Sequence, residues 1–92
     1  MKPEMRARPR LAPGCRLNAA SERHRILLMP ERALRLNGPS LAIVELCDGE
    51  HTVEQIIRDL QGLYSKAAPQ KVEDDILDYL GRLHEDRALD FE

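Results

Sequence analysis

A chain of 92 residues has room for one compact domain built on one hydrophobic core. Its formal net charge of −2 gives no general attraction to nucleic acid or anionic lipid. With Tyr64, Tyr79 and Phe91 as the only aromatic residues, it also lacks a stacking platform for single-stranded nucleic acid.

Residues 1–14 contain Pro3, Pro9, Pro13 and Gly14 without helical or strand periodicity, and are expected to form a flexible arm before a single domain over residues 15–92. Three short strands are expected at residues 16–18, 24–29 and 32–36, with a polar turn over 19–23 and a break at Pro30-Glu31. In the last of these, Leu34 and Leu36 share one face while Ala33 and Arg35 share the other.

After Asn37-Gly38 the periodicity becomes helical. Pro39 suits a first helical position, and Asp48-Gly49 stops a short apolar helix containing Leu41, Ile43, Val44, Leu46 and Cys47. Thr52-Val53-Glu54-Gln55 is a capping box opening a second helix, with Val53, Ile56, Ile57, Leu60, Leu63 and Tyr64 as its apolar stripe. Beyond Pro69, residues 70–86 form a third helix striped by Val72, Ile76, Leu77, Tyr79, Leu80 and Leu83, with Asp74, Asp78, Gly81 and Glu85 on its polar side. Ala88-Leu89-Asp90-Phe91 closes as a short strand or a packed tail.

Strands followed by helices indicate an α+β fold, a small three-stranded antiparallel sheet with three helices in a winged helix-turn-helix-like arrangement. No apolar run is long enough to span a membrane, no signal peptide is evident, and Cys15 and Cys47 suit a reduced compartment, so the cytoplasm is expected.

Catalytic motifs are missing. His24, His51 and His84 lie in separate elements, there is no phosphate-binding glycine loop, and Asp74, Asp75 and Asp78 read as a solvated helix face. Cys47 and His51 have a C-x-x-x-H spacing but lack the further ligands of a zinc site, so no metal is expected. Winged-helix DNA binding is the alternative function. It is opposed by the acidic third helix and the mixed polar face of the second, which carries Glu54, Gln55, Arg58, Asp59 and Gln61.

What remains is a binding surface for an extended peptide. An open sheet leaves one edge unpaired, and residues 32–36 are the candidate edge, facing a groove toward the third helix. Leu34, Leu36, Val72, Ile76 and Tyr79 would line its pockets. Leu34, Leu36, Ile76 and Leu80 are expected in the core, whereas Asp75 and Tyr79 flank the stripe as groove walls.

The segments Leu27-Leu28-Met29-Pro30-Glu31, Leu36-Asn37, Ile43-Val44-Glu45-Leu46-Cys47-Asp48-Gly49 and Thr52-Val53-Glu54-Gln55-Ile56-Ile57 together resemble the PqqD family. The resemblance, over residues 9–90, implies a precursor-peptide recognition element of pyrroloquinoline quinone biosynthesis. Such a peptide chaperone would bind the precursor peptide PqqA and deliver it to PqqE, a radical S-adenosylmethionine enzyme. Carried over by position, peptide binding falls on Ala33, Leu34, Arg35, Leu36, Val72, Asp75, Ile76 and Tyr79. The resemblance implies no bound cofactor, the radical chemistry belonging to the partner. A purely structural subunit of that enzyme is a third reading. The protein is expected to work as a monomer, although an open edge also permits a dimer.

Overall fold

A computed structural model describes residues 3–19 and 25–92. Of the turn expected over residues 19–23, Ala19 belongs to the strand before it, while residues 20–23 and His24 lie outside the described residues. The elements run β1 (Pro9–Leu11), β2 (Arg16–Ala19), β3 (Arg25–Leu28), β4 (Ala33–Leu36), α1 (Gly38–Glu45), α2 (Val53–Leu63), α3 (Pro69–Glu85) and β5 (Leu89–Phe91). The fold is α+β, with an antiparallel β2-β3-β4 meander and a two-stranded β1-β5 sheet. Leu27, fully buried, and Leu36, 4% exposed, turn inward from the meander onto a core supplied mainly by Ile43, Val44, Val53, Ile56, Leu60, Ile76 and Leu80 of the helices.

Each helix is delimited by local chemistry. Asn37 caps α1 by accepting from the Ser40 amide at 3.3 Å, while Ser40 Oγ accepts from the Asn37 amide at 3.0 Å. Thr52 and Gln55 form the expected capping box of α2, with reciprocal bonds of 3.1 and 2.8 Å. Pro39 and Pro69 both stand in the first turn of their helices, so Pro69 opens α3 instead of preceding it. Leu63, assigned to the α2 stripe, is 65% exposed as the last residue of the helix, while Leu60, three residues earlier, is 3% exposed. Gly81, assigned to the polar side of α3, is buried among the residues that α3 presents to the interior.

At the end of α3, Arg87 occupies the left-handed region at φ 61. Its amide donates to His84 O at 3.0 Å and that of Ala88 to Leu83 O at 2.9 Å. This paired closure tucks Ala88 and Leu89 into the core and reverses the chain into β5.

Residues 3–14 correct the expected flexible arm. Pro9, Arg10 and Leu11 pair with Phe91, Asp90 and Leu89, a strand that prolines concealed because an edge strand tolerates them. Pro9 is fully buried and Ala12 is 8% exposed. Ala7 O accepts from Val53 N at 2.9 Å and Met5 O from Glu54 N at 3.0 Å, so the segment satisfies two first-turn amides of α2 that no intrahelical carbonyl can reach.

The α1–α2 turn docks against the same segment. Gly49, at φ 80, donates to Pro9 O at 2.9 Å. Asp48 accepts from the Glu50 and His51 amides at 2.9 and 3.0 Å and contacts His51 Nδ1 at 2.8 Å. The Glu50 amide foremost, joined by the His51 ring and amide, outweighs the opposing desolvation and holds the Asp48 carboxyl at about 2. A depressed carboxylate pKa means that the folded state binds fewer protons, so the stability it contributes is complete above the ordinary pKa of 3.8 and disappears as pH falls through about 2. Asp48→Ala should lower stability at neutral pH by about 1 kcal/mol, in the range of lost side-chain caps. In urea titrations from pH 7 to 2, the variant should lack the part of the acid-induced stability loss that Asp48 contributes below pH 4.

Candidate functional site

β4 is the outer strand of the meander, so one of its edges has no partner strand among the described residues. The hairpin fixes which of its backbone groups lie there. Met29 N donates to Arg32 O at 2.8 Å, marking a hydrogen-bonded pair; continuing the register makes Leu27–Leu34 and Arg25–Leu36 the next such pairs. The N–H and C=O groups of Ala33 and Arg35 therefore point away from β3, toward the free edge. Asn37 N is engaged by Ser40 Oγ, so the available edge ends where α1 begins.

A groove of about 460 Å³ runs along this edge. Leu34 and Arg35 form one side, Pro39, Ser40 and Ile43 of α1 its end, and Asp75, Tyr79 and Arg82 of α3 the other side. A second hollow of about 210 Å³ continues it along α3, sharing Pro39, Ile43 and Asp75 and adding Leu60, Tyr64, Val72 and Ile76. Together they make a mostly apolar trough with charged lips. Burial raises the Tyr79 hydroxyl above its ordinary pKa, with the Ser40 hydroxyl acting the other way, so the phenol stays neutral at physiological pH. Asp75 is bridged by Lys71 at 3.3 Å, and Asp86, at the far lip, by Arg32 at 3.0 Å.

The structure brings the sequence-derived residues together unevenly. Leu34, Arg35, Asp75 and Tyr79 line the main groove, and Val72, Asp75 and Ile76 its continuation. Ala33 lies on the open edge, exposed. Leu36 is 4% exposed and belongs to the core, while Leu34, expected in the core with it, is 36% exposed. Both point toward the helices, but Leu34 sits above the groove where α3 does not cover it. Pro39, Ser40, Ile43, Tyr64 and Arg82 were not anticipated in the trough. The capping role of α1's first turn hid Pro39 and Ser40, since no periodicity marks a helix end as a groove wall, while Ile43, Tyr64 and Arg82 read as ordinary core or surface positions of α1, α2 and α3.

Other candidates separate. Cys47 Sγ donates to Ile43 O at 3.2 Å, and burial pushes its thiol up to about 12. His51 turns instead to Asp48. Among the described residues no cluster of three His, Cys, Asp or Glu side chains could hold a metal ion, and no helix is long and apolar enough to cross a membrane.

Comparison with known proteins gives concordant matches. A model of the PqqD family, coenzyme PQQ synthesis protein D, matches residues 25–89. The chain is 40% identical over 83 residues to the bifunctional coenzyme PQQ synthesis protein C/D of Methylorubrum extorquens, covering 89% of this chain but 22% of that protein. It is 32% identical over 84 residues to the PqqA binding protein of Xanthomonas axonopodis pv. citri, covering 90% of each. The solution NMR structure of the PqqD truncation of Methylobacterium extorquens PqqCD, a stand-alone recognition element for ribosomally synthesized and post-translationally modified peptides, aligns with a TM-score of 0.71 at 40% identity over 89% of this chain and 87% of that one. The turn motifs Met29-Pro30-Glu31 and Cys47-Asp48-Gly49 lie inside the matched region, one setting the register of β4 and the other joining α1 to α2. The chain belongs to the PqqD family.

Proposed function

We propose that this protein binds the precursor peptide PqqA in pyrroloquinoline quinone biosynthesis, as a strand added to β4, and presents it to the radical S-adenosylmethionine enzyme PqqE without performing chemistry itself. The observation that carries the proposal is the free edge at Ala33 and Arg35, running beside a trough walled by α3 in a member of the PqqD family. Its relatives point the same way, one being a PqqA binding protein and another a peptide recognition element. Backbone pairing would set register, and apolar side chains would enter between Leu34, Ile43 and Tyr79. The DNA-binding alternative is opposed by charge: Asp74, Asp75 and Asp78 crowd the exposed flank of α3, where phosphates would be repelled.

The test is a titration of isotopically labelled protein with PqqA followed by backbone NMR. Saturable shifts concentrated at residues 33–36 and at Val72, Asp75 and Tyr79 are the expected result. An absence of binding, with and without PqqE, would overturn the proposal and return DNA to consideration.

A further inference from the structure

Adding a strand to β4 places peptide side chains on both faces of the sheet, and the trough accounts for one face. Leu34 and Leu36 face the helices. Ala33 and Arg35 alternate onto the outward face, in line with Ile26 and Leu28 of β3 and with Arg16 and Asn18 of β2, Arg35 also bordering the groove where it reaches the open edge. One row across the outer face therefore reads Asn18, Ile26, Arg35, and the next reads Arg16, Leu28, Ala33. Arg35 is exposed, makes no ion pair among the described residues, and has apolar Ile26 as its cross-strand neighbour. The carboxylates at the groove lips are already bridged, Asp75 by Lys71 and Asp86 by Arg32. The guanidinium beside the free edge is thus left without a carboxylate partner among the described residues.

A peptide strand paired with Ala33 and Arg35 presents one outward side chain opposite Arg35 and another, two residues away, opposite Ala33. Directly opposed side chains have Cβ atoms about 5 Å apart, where an opposite charge stabilises the pair and a like charge opposes it. The position opposite Ala33 has its nearest basic residue in the row at Arg16, three strand spacings or about 14 Å away. That exceeds the screening length of about 8 Å at physiological salt. Arg35 itself lies diagonally from that position, at about 7–8 Å against about 5 Å for the facing one, so charge is read chiefly at the position opposite Arg35.

We infer that Arg35 is a specificity-determining residue that selects a precursor segment with Asp or Glu at the outward position facing it, flanked by apolar residues directed into the trough. The inference rests on the strand-addition reading and names the chemistry of its ligand.

The test is a charge exchange, with synthetic PqqA as the probe. Arg35→Glu should weaken binding about tenfold at low ionic strength, and Arg35→Gln less. One Asp→Lys or Glu→Lys replacement in the peptide should restore affinity for Arg35→Glu most fully, a replacement two residues away should restore less, and about 0.5 M salt should narrow the difference. Binding indifferent to Arg35→Glu, or rescue shared equally among several peptide positions, would overturn this inference while leaving strand addition standing. Failure of the unmodified protein to bind PqqA would instead overturn the proposed function. Since Arg35 is exposed, NMR spectra of the free variants should retain the native dispersion, separating lost binding from lost structure.

Discussion

Arg35→Pro is expected to weaken precursor-peptide binding by one to two orders of magnitude while leaving the fold intact. Proline removes one N–H and fixes φ near −65°. At residue 35 the N–H lies on the free edge, because the Ile26–Arg35 pair is one whose backbone groups point away from each other. The β3–β4 ladder therefore loses no bond. The residue before proline is pushed toward extended geometry, which Leu34 already has as a strand residue. A bound peptide would lose its donor and leave one carbonyl unpaired, a penalty of about 1–3 kcal/mol, or roughly 5- to 150-fold in affinity. Leu34→Pro makes the contrast, since the Leu34 amide belongs to the ladder with Leu27 and its loss should destabilise the sheet. Calorimetric titration with PqqA, alongside thermal melts, measures both. A folded Arg35→Pro protein with unchanged affinity would place the peptide elsewhere.

The second large effect concerns stability. Deleting residues 1–11 should cost about 3 kcal/mol or more, a large part of the stability of a domain this size. The deletion strips fully buried Pro9 from the core and half-buried Ala7 and Leu11 from its margin, at roughly 25 cal/mol for each Å² of apolar surface returned to water. It also unpairs β5 and hands the first-turn amides of α2 at Val53 and Glu54 back to water. Urea unfolding should show a clear fall in midpoint. A truncated protein as stable as the parent would mean that the packed N-terminal segment contributes nothing net.

These two expectations mark where the sequence was legible. The meander, the Thr52 capping box and the stripes of α2 and α3 follow from periods of 2 and 3.6 and from cap chemistry, and each appears within a residue or two of its expected position. β1 was not legible. Three prolines and alternating arginines mask a strand of three residues, and its partner lies at the opposite end of the chain, where no local pattern can announce it. The groove was half legible. Asp75 and Tyr79 flank a helical stripe and could be read as a wall, whereas the exposure of Leu34 against the burial of Leu36 depends on how far α3 reaches over β4. Alternation assigns both leucines to one face and says nothing about where cover ends.

The β1–β5 pairing has a bearing on architecture at a larger scale. Arg8 and Glu92 exchange both backbone bonds, at 2.9 and 3.0 Å, and Arg10 adds an ion pair to Glu92 at 2.8 Å. Positions 8 and 92 are thereby held side by side, on a sheet separate from the one that bears the open edge. A neighbouring domain tethered beyond Glu92 would depart from that sheet, and its tether would have no need to pass along β4. In Methylorubrum extorquens the matching region forms part of a bifunctional protein, an arrangement that a tether leaving at Glu92 accommodates.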